Sequence, residues 1–344
     1  MKIFYAIQAT GNGHISRAME LLPYLQQYGT VDIFLSGANS TLPLNAPIKY
    51  RSKGLSLFYT CDGSLDYSKI VRSISPFRVM KEVRDLPVEK YDLVINDFEC
   101  ITSLACARKK VPSVNFGHQA SFLSDKTPRP EKPNKTGEWI LRNYARATNY
   151  IGLHFENYDD FIFSPVIKEE ILKAEAGNKG HITVYLPSYC DKQLIKLLQP
   201  FRDQRFEVFS RQAVKPYEID HMNFRPVDSK DFNRSLINCH GIICGAGFET
   251  PAEALYLKKK MIAIPIQGQY EQQCNAAALK KIGIKTLDNL DDDFTDTFNN
   301  WVNDPVTPTV QYRYSTEAII NILMMRCTDL KTILDIPYPD LIFN

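Results

Sequence analysis

A loop near the N-terminus places two glycines and a histidine between a strand and a helix. Residues 2–8 are predicted to form the strand, and Gly11, Asn12, Gly13 and His14 follow it. At this point an open α/β sheet presents backbone N–H groups and the positive end of a helix. Because that helix end disfavours an imidazolium, we expect His14 to be a neutral base that faces a cleft. The alternative is a tight turn whose histidine only caps the helix.

The same loop departs from the two common nucleotide-binding motifs. A GxGxxG frame that begins at Gly11 would need a glycine where Ser16 stands. The second predicted strand ends at Ser36, without the acidic residue that holds a ribose in dinucleotide-binding proteins. The chain also lacks a GK[ST] tripeptide, so no P-loop is predicted. These departures disfavour a nicotinamide-dependent dehydrogenase.

A second glycine turn lies in the C-terminal half, between a buried strand and a helix. The run from Cys244 to Glu249 is Cys-Gly-Ala-Gly-Phe-Glu, and Pro251 then favours a helix start. Glycines let phosphate oxygens approach the backbone, and the helix N-terminus supplies unpaired N–H donors. One turn later, Glu253 can accept from both hydroxyls of a ribose. The pattern predicts a site for the ribose and phosphates of a nucleotide.

Two carboxylates and a further histidine follow strands of the N-terminal half. Asp97 and Glu99 come at the carboxyl end of a predicted strand, the edge at which open α/β sheets bind ligands. Either could be the general base, or could orient His14. Capping the next helix is the alternative for both. His118 follows the next strand and is predicted to lie in the same cleft.

Polar side chains also follow strands of the C-terminal half. Ser188 could offer a hydroxyl to a phosphate, although an ordinary turn explains it nearly as well. Glu271, Gln272 and Gln273 lie at a strand-to-helix junction. Their amides and carboxylate suit the recognition of a polyol.

The elements that must position these residues alternate between short apolar runs and longer helix-like segments. This alternation is typical of mainly parallel sheets covered by helices on both faces, and 344 residues suffice for two such domains. The predicted fold class is α/β with two Rossmann-like doubly wound domains facing a central cleft. We place the domains at residues 1–160 and 161–312, with a C-terminal helix and tail at 313–344. That helix is expected to pack back on the N-terminal domain.

Two irregular segments interrupt the alternation. Residues 121–137 contain Pro128, Pro130 and Pro133, which favour a long exposed loop near the cleft. Residues 157–180 are predicted to link the two domains.

The two glycine turns together resemble the GT-B glycosyltransferases, in particular the group of the lipid II-forming N-acetylglucosaminyltransferase and the galactolipid synthases. In that group a glycine turn is followed by Glu, by Pro 12 residues later, and then by Gln with Asn-Ala three residues on. The layout around Asp97 and His118 resembles a less characterised bacterial and archaeal branch. One residue departs from the family pattern: Lys260 stands where the family usually has a glycine. It belongs to a run of lysines that we interpret as a solvated helix end. The matching residues are Gly11, Gly13, His14, Glu253, Pro265, Gln272, Asn275 and Ala276.

The resemblance implies a role for each group of residues. The diphosphate would lie at the glycine turn and the ribose at Glu253. The donor sugar would lie at Gln272 with Glu271 or Gln273. Phe224 stands at the position of the family's nucleobase loop. His14 would act near the acceptor or the β-phosphate. We predict as donor-binding residues Ser188, Phe224, Gly245, Gly247, Phe248, Glu249, Glu253, Glu271, Gln272 and Gln273. We predict as catalytic residues His14, Asp97 and Glu99, and as acceptor-side or cleft residues Gly11, Asn12, Gly13 and His118.

The predicted activity is transfer of a hexose or N-acetylhexosamine from a nucleotide-diphosphate sugar to an acceptor hydroxyl. The resemblance implies a UDP-linked donor and inversion at the anomeric carbon. No DxD-type motif follows a strand, so we expect no metal ion and no cofactor besides the nucleotide-sugar co-substrate. The alternatives are a non-hydrolysing nucleotide-sugar epimerase of the same fold and a non-catalytic nucleotide- or glycan-binding protein.

Composition restricts the partners and the compartment. A net charge of +2 gives no sign of nucleic-acid binding, and no apolar run of about 18 residues predicts a membrane span. Eight cysteines without a CxxC pair favour free thiols and a cytoplasmic protein. The acceptor is expected to be a cell-envelope glycan or a lipid-linked molecule. Lys49–Phe58 and Lys69–Lys81 mix basic and apolar residues, which suits peripheral contact with the inner face of a membrane or, alternatively, an ordinary solvated strand and helix.

Overall fold

Two seven-stranded sheets follow one another along the chain. The computed structural model describes residues 1–9, 11–37, 44, 46–54, 75–290 and 293–330. In the first sheet every strand pair is parallel, and the order is β3-β2-β1-β4-β5-β6-β7. Its strands are β1 (Lys2–Gln8), β2 (Thr30–Ser36), β3 (Ile48–Ser52), β4 (Leu93–Asp97), β5 (Val114–Gly117), β6 (Asn149–Leu153) and β7 (Ile162–Phe163).

The second sheet repeats this winding. Its order is β10-β11-β9-β8-β12-β13-β14, and only β10 runs antiparallel to its neighbour within it. The strand order reverses between β1 and β4 in the first sheet and between β8 and β12 in the second. In each sheet the two strands beside this reversal leave a crevice at their carboxyl ends. The strands are β8 (His181–Tyr185), β9 (Arg205–Ser210), β10 (Tyr217–Ile219), β11 (Met222–Pro226), β12 (Gly241–Gly245), β13 (Lys260–Ile264) and β14 (Lys285–Thr286).

Helices connect the strands and cover the sheets. The central strands β1, β4, β12 and β13 are buried almost throughout, which explains their continuous apolar runs. The helices are α1 (Asn12–Gln26), α2 (Pro76–Asp85), α3 (Cys100–Lys109), α4 (Lys135–Asn143), α5 (Glu169–Leu172), α6 (Asp191–Leu198), α7 (Ser229–Asn238), α8 (Glu249–Tyr256), α9 (Tyr270–Ile282), α10 (Asp293–Asn303) and α11 (Thr316–Leu330).

The C-terminal helix α11 packs back on the first half of the chain, as predicted. Its buried side chains Ile319 and Leu323 belong to the same apolar core as Leu21 and Leu25 of α1. The Tyr28 hydroxyl at the end of α1 also donates to the Asn321 side chain at 2.5 Å. Helix α11, the last described element, therefore packs against α1.

Several local predictions needed correction. The sequence pattern predicts a single strand at 219–224, but the structure has a hairpin of β10 and β11 there. It turns at Asp220, whose φ of +49° lies in the left-handed region. The linker predicted at 157–180 contains β7, which extends the first sheet past residue 160. Lys259 and Lys260 do not form a solvated helix end, because both are buried and donate to backbone carbonyls.

The cysteine prediction is also only partly correct. Cys190 is disulfide-bonded, against the expectation of free thiols, and Cys61 lies outside the described residues. The described free thiols are Cys100, Cys106, Cys239, Cys244, Cys274 and Cys327.

The membrane prediction concerns two segments that are only partly described. Residues 55–74 lie outside the described part of the chain, and they include residues 55–58 of the segment Lys49–Phe58 and residues 69–74 of the segment Lys69–Lys81. The described remainder includes Phe77 on α2, whose side chain is 92% exposed. No described helix combines the length and the apolar composition needed to cross a bilayer.

Candidate active site

The carboxyl ends of the two sheets face one another across a cavity of about 570 Å³. Its walls include the first turn of α1 on one side and the β12–α8 turn on the other. The predicted cleft residues Gly11, Asn12, Gly13 and His14 all line it. Helix α4, which follows the proline-containing loop, contributes Ile140 to the same wall, so this segment lies near the cleft as predicted.

His14 and Asp97 meet at the crevice of the first sheet. Strand β1 pairs with β4 so that Ile7 lies beside Asp97, and α1 then brings His14 over the end of β4. The distance from His14 Nδ1 to Asp97 Oδ1 is 2.9 Å. A carboxylate bound to Nδ1 favours the tautomer in which Nε2 is the basic nitrogen, whereas Arg17 Nη2, 3.0 Å from the same Nδ1, favours the other tautomer. In the first tautomer the pair can remove a proton from a hydroxyl, with Asp97 orienting the histidine.

Arg17 completes this cluster, although the sequence analysis did not select it. Its Nη2 donates to Asp97 Oδ1 at 2.7 Å, and its Nη1 donates to Glu249 across the cleft. The side chain is 2% exposed. Arg17 follows His14 by three residues on α1, a spacing that places both on one helix face, so the periodicity could have identified it.

Electrostatics within the cluster act in opposite directions on its two carboxylates. Burial alone would raise the pKa of Asp97, but Arg17 and His14 outweigh burial and hold that pKa below its ordinary value. Burial raises the pKa of Glu249 to about 7, although Arg17 opposes this. Asp97 is thus held as an anion, whereas Glu249 is ionised only at a cost.

Glu99 takes the helix-capping role that the sequence left open as the alternative. Its carboxylate accepts from the backbone N–H groups of Ile101 and Thr102 at the start of α3, at 3.0 and 2.6 Å. Phe98, with a φ of +54°, turns the chain between Asp97 and Glu99. Glu99 is fully buried and does not line the cavity, so the catalytic prediction for it is withdrawn.

His118 lines the cavity but has both ring nitrogens engaged. Nδ1 lies 2.9 Å from the Leu153 carbonyl and Nε2 lies 2.7 Å from Asn275 Oδ1, on the other half of the chain. Its ring stacks on Phe248 with centroids 3.9 Å apart. Burial lowers the pKa of His118. These contacts make it a bridge between the two halves.

The predicted glycine turn lies on the opposite wall. Gly245, Gly247 and Phe248 all line the cavity. A Cβ atom placed on Gly247 would meet nothing within 4 Å, so the space in front of this backbone is open. No side chain caps the first turn of α8. Its N–H groups and the positive helix end thus face the cavity, an arrangement that binds phosphate.

Glu253 lies one turn into α8, as predicted, and has a charged partner that the sequence did not reveal. Lys168 binds both carboxylate oxygens at 3.1 Å, and both side chains line the cavity. Burial raises the pKa of Glu253, against the effect of Lys168. Lys168 lies in the segment between the sheets, where no periodicity marks it.

The remaining donor-side predictions divide into two groups. Ser188, Glu271 and Gln272 line the cavity, and Gln272 accepts from the Ile266 backbone at 3.0 Å. Gln273 does not belong to the cavity wall. Phe224 is fully buried and stacks on Tyr217, with ring centroids 4.9 Å apart, because side chains alternate across β11. The cavity is lined there by the residues that follow the strand, Val227, Asp228 and Ser229.

A family model described as glycosyl transferase family 1 matches residues 1–302. The chain belongs to glycosyl transferase family 1. Membership makes it a glycosyltransferase, and the His14–Asp97 pair and the α8 turn lie within the matched region. No curated protein matches this family member.

Solved structures with the same fold include transferases and an epimerase. The spinosyn forosaminyltransferase SpnP is 12% identical, with 95% of this chain and 99% of that chain covered and a TM-score of 0.59. Arabidopsis thaliana UGT89C1 complexed with UDP-L-rhamnose is 12% identical, with 95% and 94% covered and a TM-score of 0.58. A UDP-N-acetylglucosamine 2-epimerase is 13% identical, with 99% of both chains covered and a TM-score of 0.54. At these identities the similarity concerns the fold, and it confirms the predicted pair of Rossmann-like GT-B sheets in this family 1 member.

Proposed function

We propose that this glycosyltransferase moves a hexosyl or N-acetylhexosaminyl group from a UDP-sugar to an acceptor hydroxyl, with inversion at the anomeric carbon. The observation that carries the proposal is a single cavity with a histidine–aspartate pair on one wall and an uncapped helix N-terminus on the other. A base and an anion site are the two groups that displacement of a nucleoside diphosphate requires.

Each substrate part has a place in this cavity. The diphosphate lies at the Gly247 turn, and the ribose hydroxyls bind Glu253. The donor sugar lies against Glu271 and Gln272, the members of the predicted polar run that line the cavity. The acceptor enters beside His14.

The chemical step is one displacement. The acceptor oxygen forms a bond to the anomeric carbon as the bond from that carbon to the β-phosphate oxygen breaks. His14 Nε2 takes the hydroxyl proton, and UDP leaves with the bonding electron pair. The N–H groups at the start of α8 stabilise the charge that develops on the departing diphosphate. The proposal assigns no step to a metal ion, and within the described residues no cluster of potential metal ligands occurs.

The acceptor is proposed to be a glycan that carries an apolar or lipid part. Phe98, Ile140, Leu141 and Tyr144 form an apolar stretch of the cavity wall on the side of the first sheet. The resemblance to the lipid II and galactolipid enzymes agrees with such an acceptor. The same proposal includes a cytoplasmic location and peripheral contact with the inner face of a membrane, through the region of the exposed Phe77.

The test is turnover of a panel of UDP-sugars with and without candidate acceptors, measured as UDP release. His14→Gln should slow acceptor-dependent release by about 10²–10⁴-fold while UDP still binds. His240→Gln is the matched control, because His240 is absent from the cavity wall and should leave both unchanged. Interconversion of the sugar without an acceptor would instead show an epimerase, and UDP-sugar binding without any turnover would show a binding protein.

A further inference from the structure

Arg17 connects the two halves of the molecule at the centre of the cavity. Its buried side chain projects from α1, and the guanidinium binds Asp97 of the first sheet and Glu249 at the start of α8. A guanidinium offers several N–H donors in a fixed plane, so it can serve two anions at once. One of these anions, Glu249, lies at the helix end to which the proposed function assigns the diphosphate.

Glu249 lies in a position that disfavours the charge of its carboxylate. The buried Asp97 and the partly exposed Glu249 share the one guanidinium of Arg17, and desolvation raises the pKa of Glu249 to about 7. No side chain caps the first turn of α8, and the same is true of α1 on the facing wall of the cavity. The N–H donors of α8 and one edge of Arg17 therefore converge on a position that an external anion can take.

The glycines around Glu249 show where there is room. A Cβ atom on Gly13 would lie 3.1 Å from Glu249 Cγ, so α1 closes tightly on this carboxylate. A Cβ atom on Gly247 would meet nothing within 4 Å. Free space therefore lies in front of Gly247, within the same turn as Glu249, and also in front of Gly11 at the start of α1.

We propose that Arg17 binds the diphosphate of the donor, and that Glu249 occupies this place in the ligand-free protein. Donor binding exchanges an internal carboxylate for a phosphate, while Asp97 keeps its side of the guanidinium. The inference rests on the proposed function for the location of the diphosphate. It changes the role predicted for Glu249, which competes with the donor instead of binding it.

The experiment measures binding of UDP, uridine and inorganic pyrophosphate by calorimetry, without any acceptor. Glu249→Gln keeps the size of the side chain and removes its charge, so UDP and pyrophosphate should bind about tenfold more tightly. Uridine, which has no phosphate, should bind as it does to the unchanged protein. Arg17→Lys should weaken UDP about tenfold, because one ammonium cannot serve Asp97 and a phosphate with the same geometry.

A control variant separates charge from domain packing. Glu138→Gln weakens another contact between the halves, the hydrogen bond from Tyr270 at 3.0 Å. It also removes the ion pairs of Glu138 with Arg129 and Arg142, and Glu138 does not line the cavity. It should change UDP and uridine binding by equal factors. The role of Arg17 would be overturned if the Glu249→Gln variant bound UDP with unchanged affinity, or if it bound UDP and uridine more tightly by the same factor.

The outcomes also separate this inference from the proposed function. If UDP binds the unchanged protein and neither variant alters its affinity, the nucleotide site stands and Arg17 is not its ligand. If pyrophosphate tightens in Glu249→Gln while UDP binds no variant, Arg17 is an anion ligand and the UDP donor is wrong. Thermal unfolding of each variant verifies that it is folded.

Discussion

Replacing Asp97 with Asn tests the catalytic pair most directly. The carboxylate is fully buried and accepts from His14 Nδ1 at 2.9 Å and from Arg17 Nη2 at 2.7 Å. An asparagine of the same shape must turn either its oxygen or its NH₂ group toward His14. The NH₂ group would make Nδ1 an acceptor and place the proton on Nε2, which removes the base. Either orientation also sets the amide NH₂ against an Arg17 donor, because Arg17 contacts both carboxylate oxygens, and this is unfavourable in a buried site.

The expected loss is therefore that of general-base catalysis. Removal of a positioned base costs about 10²–10⁴ in kcat, or about 3–5 kcal/mol at about 1.4 kcal/mol for each tenfold change. The assay compares kcat with the Kd of UDP in Asp97→Asn, in His14→Gln and in the double variant. Since the two residues act as a unit, the double variant should be no slower than His14→Gln alone. Independent, multiplying losses would refute the pair, and so would an Asp97→Asn protein of full kcat.

Three further predictions concern packing, charge and metal dependence. Gly137→Ala should lower the thermal unfolding temperature, because the added Cβ would lie 2.5 Å from Tyr270. The overpacking costs about 1–3 kcal/mol, which exceeds the roughly 1 kcal/mol that alanine gains over glycine in a helix. An unchanged unfolding temperature would contradict this prediction. Burial raises the folded-state pKa of Glu249 to about 7 from its ordinary 4.5, so ionisation costs stability increasingly as the pH rises between these values. The stability of Glu249→Gln relative to the unchanged protein, from urea unfolding, should therefore increase from pH 5 to pH 8, and a constant difference would be evidence against it. Turnover should withstand EDTA, and a loss that Mg²⁺ restores would show that a metal ion is required.

Several side-chain contacts connect the two halves of the chain. Arg17 reaches Glu249, His118 reaches Asn275 and Tyr270 reaches Glu138. Each contact pairs a residue of the first half with one of the second. We infer that substrate binding and the packing of the two sheets are coupled through these contacts.

Most elements were predictable because they depend on neighbouring residues. A buried parallel strand needs an unbroken apolar run, as in β1, and the sequence places that strand at residues 2–8, its observed bounds. The glycine turn before α8 was predictable for the same local reason, since only glycines leave the backbone open to a ligand. The hairpin at Asp220 was missed, because residues 219–224 mix apolar and polar side chains as a single half-buried strand does, and the left-handed turn at Asp220 is not visible in that pattern.

The choice between similar residues required the tertiary structure. Asp97 and Glu99 are both carboxylates at the end of one strand, yet the turn at Phe98 directs one to His14 and the other to the start of α3.

The pairing of charges was likewise decided by the fold. The partners of Arg17 lie 80 and 232 residues away along the chain, and Lys168 is separated from Glu253 by 85. Sequence periodicity reports which face of a helix is buried, but not which distant side chain meets it. The sequence by itself thus determined the two sheets, the cleft and the residue types at its edge. Only the strand order and the closure of one sheet on the other decided which of these residues share a proton, a charge or a ligand.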